Sequence, residues 1–103
     1  MHADIHLQAW LDLHTANGVT TIAPYVSAAK EIDLQYDVRL LSNGPGGTSS
    51  IAQSGSVHVV PGQPSQVSAM SVTAQRGGKC EVSLVLRDGR EVVGRYSMDC
   101  GGK

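Results

Sequence analysis

The sequence predicts an all-β fold, an immunoglobulin-like antiparallel β-sandwich of about seven strands, and three observations carry that expectation. First, residues 31–41 read E-I-D-L-Q-Y-D-V-R-L-L, with Ile32, Leu34, Tyr36, Val38 and Leu40 on every second position and Asp33, Gln35, Asp37 and Arg39 between them. A strand places alternate side chains on opposite faces, so this spacing makes one apolar and one wetted face, whereas a helix would scatter the same residues around its circumference. Second, turn signals recur every ten or so residues and no segment keeps a helical period. Third, the 103-residue chain has no Phe and only one Trp, so its core must be built from Val, Leu, Ile and Ala, which suits thin sheet-on-sheet layers. A length of 103 residues is that of one domain, with residues 101–103 as a loose tail.

Taken in order, residues 4–13 form the first strand, with Ile5, Leu7, Ala9, Leu11 and Leu13 on one face. Asn17-Gly18 follows as a tight turn, because both residues tolerate positive φ. The second strand, 19–28, contains Pro24, which has no N–H for a ladder; the strand is therefore an edge, bulged, or unpaired at that point. The third strand, 31–42, stops at Asn43-Gly44-Pro45-Gly46-Gly47. Residues 48–60, rich in Ser, Gln and Gly, read as a weak edge strand broken near Gly55, and Pro61-Gly62-Gln63-Pro64 turns the chain again. Residues 67–75 form a fifth strand of weaker alternation, ended by Gly77-Gly78. Cys80, Val82, Leu84 and Leu86 mark one face of the sixth strand. Val92, Gly94, Tyr96, Met98 and Cys100 mark one face of the seventh.

The last two strands form a hairpin. A two-residue turn at Asp88-Gly89 closed by Arg87 and Arg90 would drive Glu91, Arg95 and Asp99 into the core, so that register is rejected. A loop with an odd number of residues keeps Val92, Tyr96 and Met98 inside. It places Cys80 and Cys100 on one face, and opposite each other if Leu84 meets Tyr96, a bulge being one way to reach that register. The favoured reading is a Cys80–Cys100 disulfide, which implies an oxidising compartment. Two inert buried thiols are the competing reading and a redox centre the third; catalytic pairs usually occupy a C-x-x-C turn, which this spacing does not provide.

Other chemistry finds little support. His2 and His6 stand about 13 Å apart along a strand, too far to share an ion, and His14 and His58 meet only if the topology joins them. Exposed strand-face histidines are the simpler account, so no metal site and no cofactor are expected. No serine lies in a G-x-S-x-G elbow, and Gly44-Pro45-Gly46-Gly47 lacks the Lys-Ser/Thr ending of a phosphate loop. No carboxylate pair is marked out as general acid and base. No catalytic residue is assigned, and no enzyme is expected. With a net charge of −1 the chain is no nucleic-acid binder by charge, and no apolar run approaches the roughly 20 residues that span a bilayer. His2-Ala3-Asp4 behind Met1 reads as the start of a mature chain whose leader has been removed.

What remains is surface. Five acids face two bases up to Val60, but from Pro61 on there are four acids and six bases, so positive charge gathers toward the final hairpin. Arg87 and Arg95 take its outward face, Arg76, Lys79 and Arg90 lie in flanking loops, and Arg39 extends the patch if its strand shares the sheet. Such a patch favours encounter with an acidic partner in a salt-sensitive way; ordinary solvated strand faces are the competing reading.

The pattern I-D-L-Q-Y-D-V-R-L, the run Gln53-Ser54-Gly55-Ser56-Val57 leading to Pro61-Gly62-Gln63-Pro64, and the two-cysteine hairpin resemble the CsgC-like family of bacterial periplasmic proteins, most closely its CsgH branch. The resemblance covers nearly the whole chain. It implies a small immunoglobulin-like sandwich, monomeric and periplasmic, that restrains amyloid formation by a curli subunit through charged surface strands. The C-x-C motif tied to proposed redox roles in CsgC is absent here, so that role does not carry over. The residues expected to meet the subunit are Arg76, Lys79, Arg87, Arg90, Arg95 and Arg39. Two alternatives remain: a structural or strand-donating subunit of a surface fibre, and a thiol oxidoreductase.

Overall fold

Alternation along the chain is realised as eight strands in a computed structural model that describes residues 6–73 and 77–100. They are β1 (Gln8–Ala16), β2 (Val19–Ser27), β3 (Ile32–Gly44), β4 (Gly47–Val59), β5 (Ser65–Gln66), β6 (Met70–Thr73), β7 (Lys79–Asp88) and β8 (Glu91–Asp99). All pairings are antiparallel. One sheet runs β1-β2-β5, with β6 also on β2; the other runs β4-β3-β7-β8. The two inner faces meet in a core of Ile22, Val26, Leu34, Val38, Leu40, Val59, Met70, Val82, Leu84 and Leu86. Burying each such aliphatic side chain is worth roughly 1.5–3 kcal/mol, so alternation is the main force holding the two layers together.

The first hairpin turns at Asn17 (φ 54°) and Gly18 (φ 75°), as their tolerance of positive φ requires. Its strand lies at Gln8–Ala16 rather than 4–13, part of which falls outside the described residues. Residues 12–19 are exposed on both faces, so Leu13, expected inside, is 44 % exposed at the hairpin tip. Pro24 does not make β2 an edge. It pairs with Leu11 of β1 on one side, and on the other its carbonyl accepts the Val67 N–H at 2.8 Å. N–H and C=O of one strand residue point to the same neighbour, so the missing donor faces the gap where β2 passes from β5 to β6. Of the expected fifth strand, 67–75, only Met70–Thr73 is realised, as β6; the separate β5 precedes it at Ser65–Gln66, the two flank the position opposite Pro24, and residues 74–75 lie outside the described set.

β4 continues through Gly55 instead of breaking there. Tyr36 stands directly opposite on β3, and its ring covers the glycine so closely that a Cβ at 55 would sit 2.8 Å from the Tyr36 hydroxyl. The final hairpin departs from the expected odd loop. Asp88 pairs with Glu91 across a two-residue turn, Gly89-Arg90, and the register then shifts by one at Val93: Arg87 faces Val92, whereas Leu86 faces Gly94. The bulge therefore does the work assigned to the loop. Val92, expected inside, is 40 % exposed, while Val93 packs against the core. Beyond the bulge Leu84 faces Tyr96 as the disulfide register requires. Cys80 and Cys100 are bonded, with Cα atoms 4.9 Å apart and the Cys100 N–H donating to the Cys80 carbonyl at 3.0 Å.

Candidate interaction surface

The outward face of the β4-β3-β7-β8 sheet carries most of the basic side chains singled out from the sequence. Register assembles it in rows. Ser56, Gln35, Arg87 and Val92 form one, Ser54, Asp37, Val85 and Arg95 the next, and Ala52, Arg39, Ser83 and Ser97 the third. Arg39 and Arg95 lie two strands apart and one row out of step, about 12 Å between Cα atoms by sheet spacing. Among the described residues neither guanidinium makes an ion pair or hydrogen bond, although Arg39 lies near enough to Asp37 to help hold its carboxyl ionised; both arginines are exposed.

Arg87 differs. Its Nη1 donates to Asp37 Oδ2, while the Ser54 hydroxyl donates to Asp37 Oδ1 at 2.7 Å. The Ser54 hydrogen bond foremost, with Arg87, holds the Asp37 carboxyl below the usual carboxylate range. Arg87 is thus partly neutralised by its neighbour, and its fixed geometry stitches β4, β3 and β7 together. Arg90 occupies the β7–β8 turn. Lys79, expected in a loop, is the first residue of β7, opposite Asn43, roughly 26 Å along the strand from Arg87. Arg76 lies outside the described residues. The face also holds Asp33, Glu81 and Asp99, so it is a mixed surface with a positive centre at Arg39 and Arg95.

His58 is an exposed strand-face histidine, as expected, and it is also a bridge. Its Nδ1 lies 2.5 Å from Asp33 Oδ1 and its Nε2 2.7 Å from Glu31 Oε2. The bond to Asp33 foremost, then Glu31, raises its pKa above 6.5. A signal for this was available: folding the hairpin about Pro45-Gly46 puts His58 opposite Asp33. His14 lies on the outer face of the other sheet, and His2 outside the described residues. Among the described residues no three His, Cys, Asp or Glu side chains come together to hold a metal ion. On that other outer face Trp10 stacks on Tyr25, with ring centroids 6.0 Å apart.

Residues 1–95 match the family model described as thin aggregative fimbriae synthesis protein, Tafi-CsgC. Two solved structures are similar. The solution structure of R. palustris CsgH aligns with a TM-score of 0.75 at 18 % identity, covering 90 % of this chain and 91 % of that one. E. coli curli protein CsgC aligns with a TM-score of 0.75 at 17 % identity, covering 93 % of this chain and 99 % of that one. No curated protein matches the chain at significant sequence similarity.

Proposed function

This chain belongs to the thin aggregative fimbriae synthesis protein family, and from that membership we propose that it acts in the periplasm as a chaperone-like inhibitor of curli subunit amyloid formation. The role is non-enzymatic, and the working form is a monomer. Amyloid-forming subunits become hazardous when exposed strands template further strands. A folded sandwich that meets such a subunit briefly, guided by charge, disfavours the nucleus without consuming an energy source.

The observation that carries this reading is the pair of exposed arginines, Arg39 and Arg95, on one sheet face, neither in a contact ion pair among the described residues. Exposed charges of this kind speed encounter with an acidic chain more than they tighten the complex, and added salt weakens them by shortening the Debye length. Arg87, Arg90 and Lys79 add to the field from the row above, the turn and the far end of β7. Arg76 is retained from the sequence reading.

The test is a dye-monitored aggregation assay of a curli subunit with substoichiometric protein at two salt concentrations. The lengthened lag should shrink at high salt, and Arg39→Gln with Arg95→Gln should shorten it at low salt while leaving the fold intact. An unchanged lag in the double variant removes the basic-face mechanism.

A further inference from the structure

Strands at sheet edges expose unpaired backbone groups, and proteins normally blunt them with charge, proline, bulges or brevity. Three of the edges here follow that rule. β8 carries Glu91, Arg95, Asp99 and the Val93 bulge, β1 carries Asp12, and β5 and β6 have only two and four residues. β4 does not: its thirteen residues, G-T-S-S-I-A-Q-S-G-S-V-H-V, include no Lys, Arg, Asp, Glu or Pro. Its backbone direction can be read from two bonds. The His58 carbonyl accepts the Ser65 hydroxyl at 3.0 Å and the Val60 carbonyl accepts the Gln63 N–H at 3.1 Å, both away from β3. Backbone direction alternates with the same period as the side chains. Thr48, Ser50, Ala52, Ser54 and Ser56 therefore turn their N–H and C=O groups to the open edge, with small side chains on the outer face. The His58 end is closed by Ser65, and on the inner face the Gln53 side chain accepts the Ser68 hydroxyl, which leaves the outward backbone groups of Thr48 to Ser56 without a strand partner among the described residues.

We propose that the β4 edge from Thr48 to Ser56 is a strand-addition site for an extended polypeptide that carries an acidic side chain on its outward face beside Ala52. A row of backbone donors and acceptors at strand spacing is complementary to another strand and to little else. Arg39 supplies the preference for acid. It stands directly behind Ala52, whose methyl group leaves the path over the strand clear, and an added strand would lie roughly 10 Å from Arg39. The same residue argues against a second copy of this chain. The two-fold register that matches all five open residues centres on Ala52 and sets two like-charged Arg39 residues on one face, about 14 Å apart by strand spacing, with no acid beside them on the added strand. The inference rests on the proposed function in taking the client to be a strand-forming subunit. It adds where that client is held: encounter on the basic face, then ladder formation at the adjacent edge.

The test uses the isotope-labelled full chain and two nine-residue peptides of alternating Thr and Val, one with a central Glu and one with Gln. The expected result is slowed amide exchange at Thr48, Ser50, Ala52, Ser54 and Ser56. The Glu peptide should bind about two- to fivefold tighter, the range of an exposed ion pair, and Arg39→Gln should erase that preference. Ser50→Pro, which removes an outward N–H and leaves the β3 ladder intact, should abolish binding; Ala52→Lys serves if the proline variant does not fold. No slowing with either peptide overturns the site. Concentration-dependent slowing without peptide also overturns it, by identifying a second copy as the occupant. In the subunit assay, a lag unaffected by the wild-type chain denies the proposed function, whereas a lag that Ser50→Pro lengthens as much as the wild-type chain does denies the edge alone.

Discussion

Reducing the Cys80–Cys100 bridge should lower stability by about 3 kcal/mol without unfolding the chain. The bridge closes a loop of sequence separation 20, and the chain-entropy relation assigns such a loop roughly 11 cal/mol/K, or about 3 kcal/mol at 25 °C. Reduction isolates that contribution better than mutation does. The Cys100 sulfur stays in the core, where the residue is 3 % exposed, so no cavity opens. The ladder bond from the Cys100 N–H to the Cys80 carbonyl also has no need of the bridge. With total stabilities of domains near 5–15 kcal/mol, the reduced chain should remain folded at 20–25 °C, its midpoint of thermal unfolding down by roughly 12–24 °C. Urea denaturation followed by circular dichroism, with and without reductant, measures the difference. A loss below about 1 kcal/mol would refute the loop-entropy reasoning, and complete unfolding would show that the bridge does more than restrict the unfolded chain. The reduced, folded protein should still delay subunit aggregation; if it does not, a redox role returns.

Gly55→Val should cost about 1–3 kcal/mol by displacing the Tyr36 ring, and in a Tyr36→Ala background the same change should become neutral or stabilising, as thermal denaturation of the pair will show. Leu84→Ala, at a fully buried site opposite Val38 and Tyr96, should cost about 2–5 kcal/mol in urea. His58 has its pKa raised in the fold, so its contribution is complete below 6.5 and is lost as pH rises through the folded value. His58→Gln should therefore destabilise the chain at about pH 5.5 and much less at about pH 9; an equal loss at both would refute the bridge to Asp33 and Glu31. Asp37 has its pKa lowered, so its contribution is present above 3.8 and disappears as pH falls through the folded value. Asp37→Asn should flatten the acid limb of the stability profile, with the largest effect near neutral pH.

Much of the architecture was legible because the side-chain period of a strand is local. Ile32 to Leu40 declare the buried face of β3 without reference to any other element, and Asn17-Gly18 declares a turn through its own φ preferences. The disulfide was legible by one further step, since opposed residues in a hairpin share a face. Lateral matters were not. The odd register of the last hairpin was required by the pattern, yet only packing could place it at Val93 rather than in the loop, because Val92 and Val93 are equally apolar. Whether Pro24 marks an edge or a gap depended on which segments pair with β2. For the interaction surface, the sequence alone was enough to put Arg39, Arg87 and Arg95 on outward positions. Only the tertiary structure decided that Arg87 is held by Asp37 while Arg39 and Arg95 stay unpaired among the described residues, and that Arg39 looks across Ala52 to an uncharged edge. The physical reason is that a face is chosen residue by residue, whereas a neighbour is chosen by the register of strands far apart in the chain.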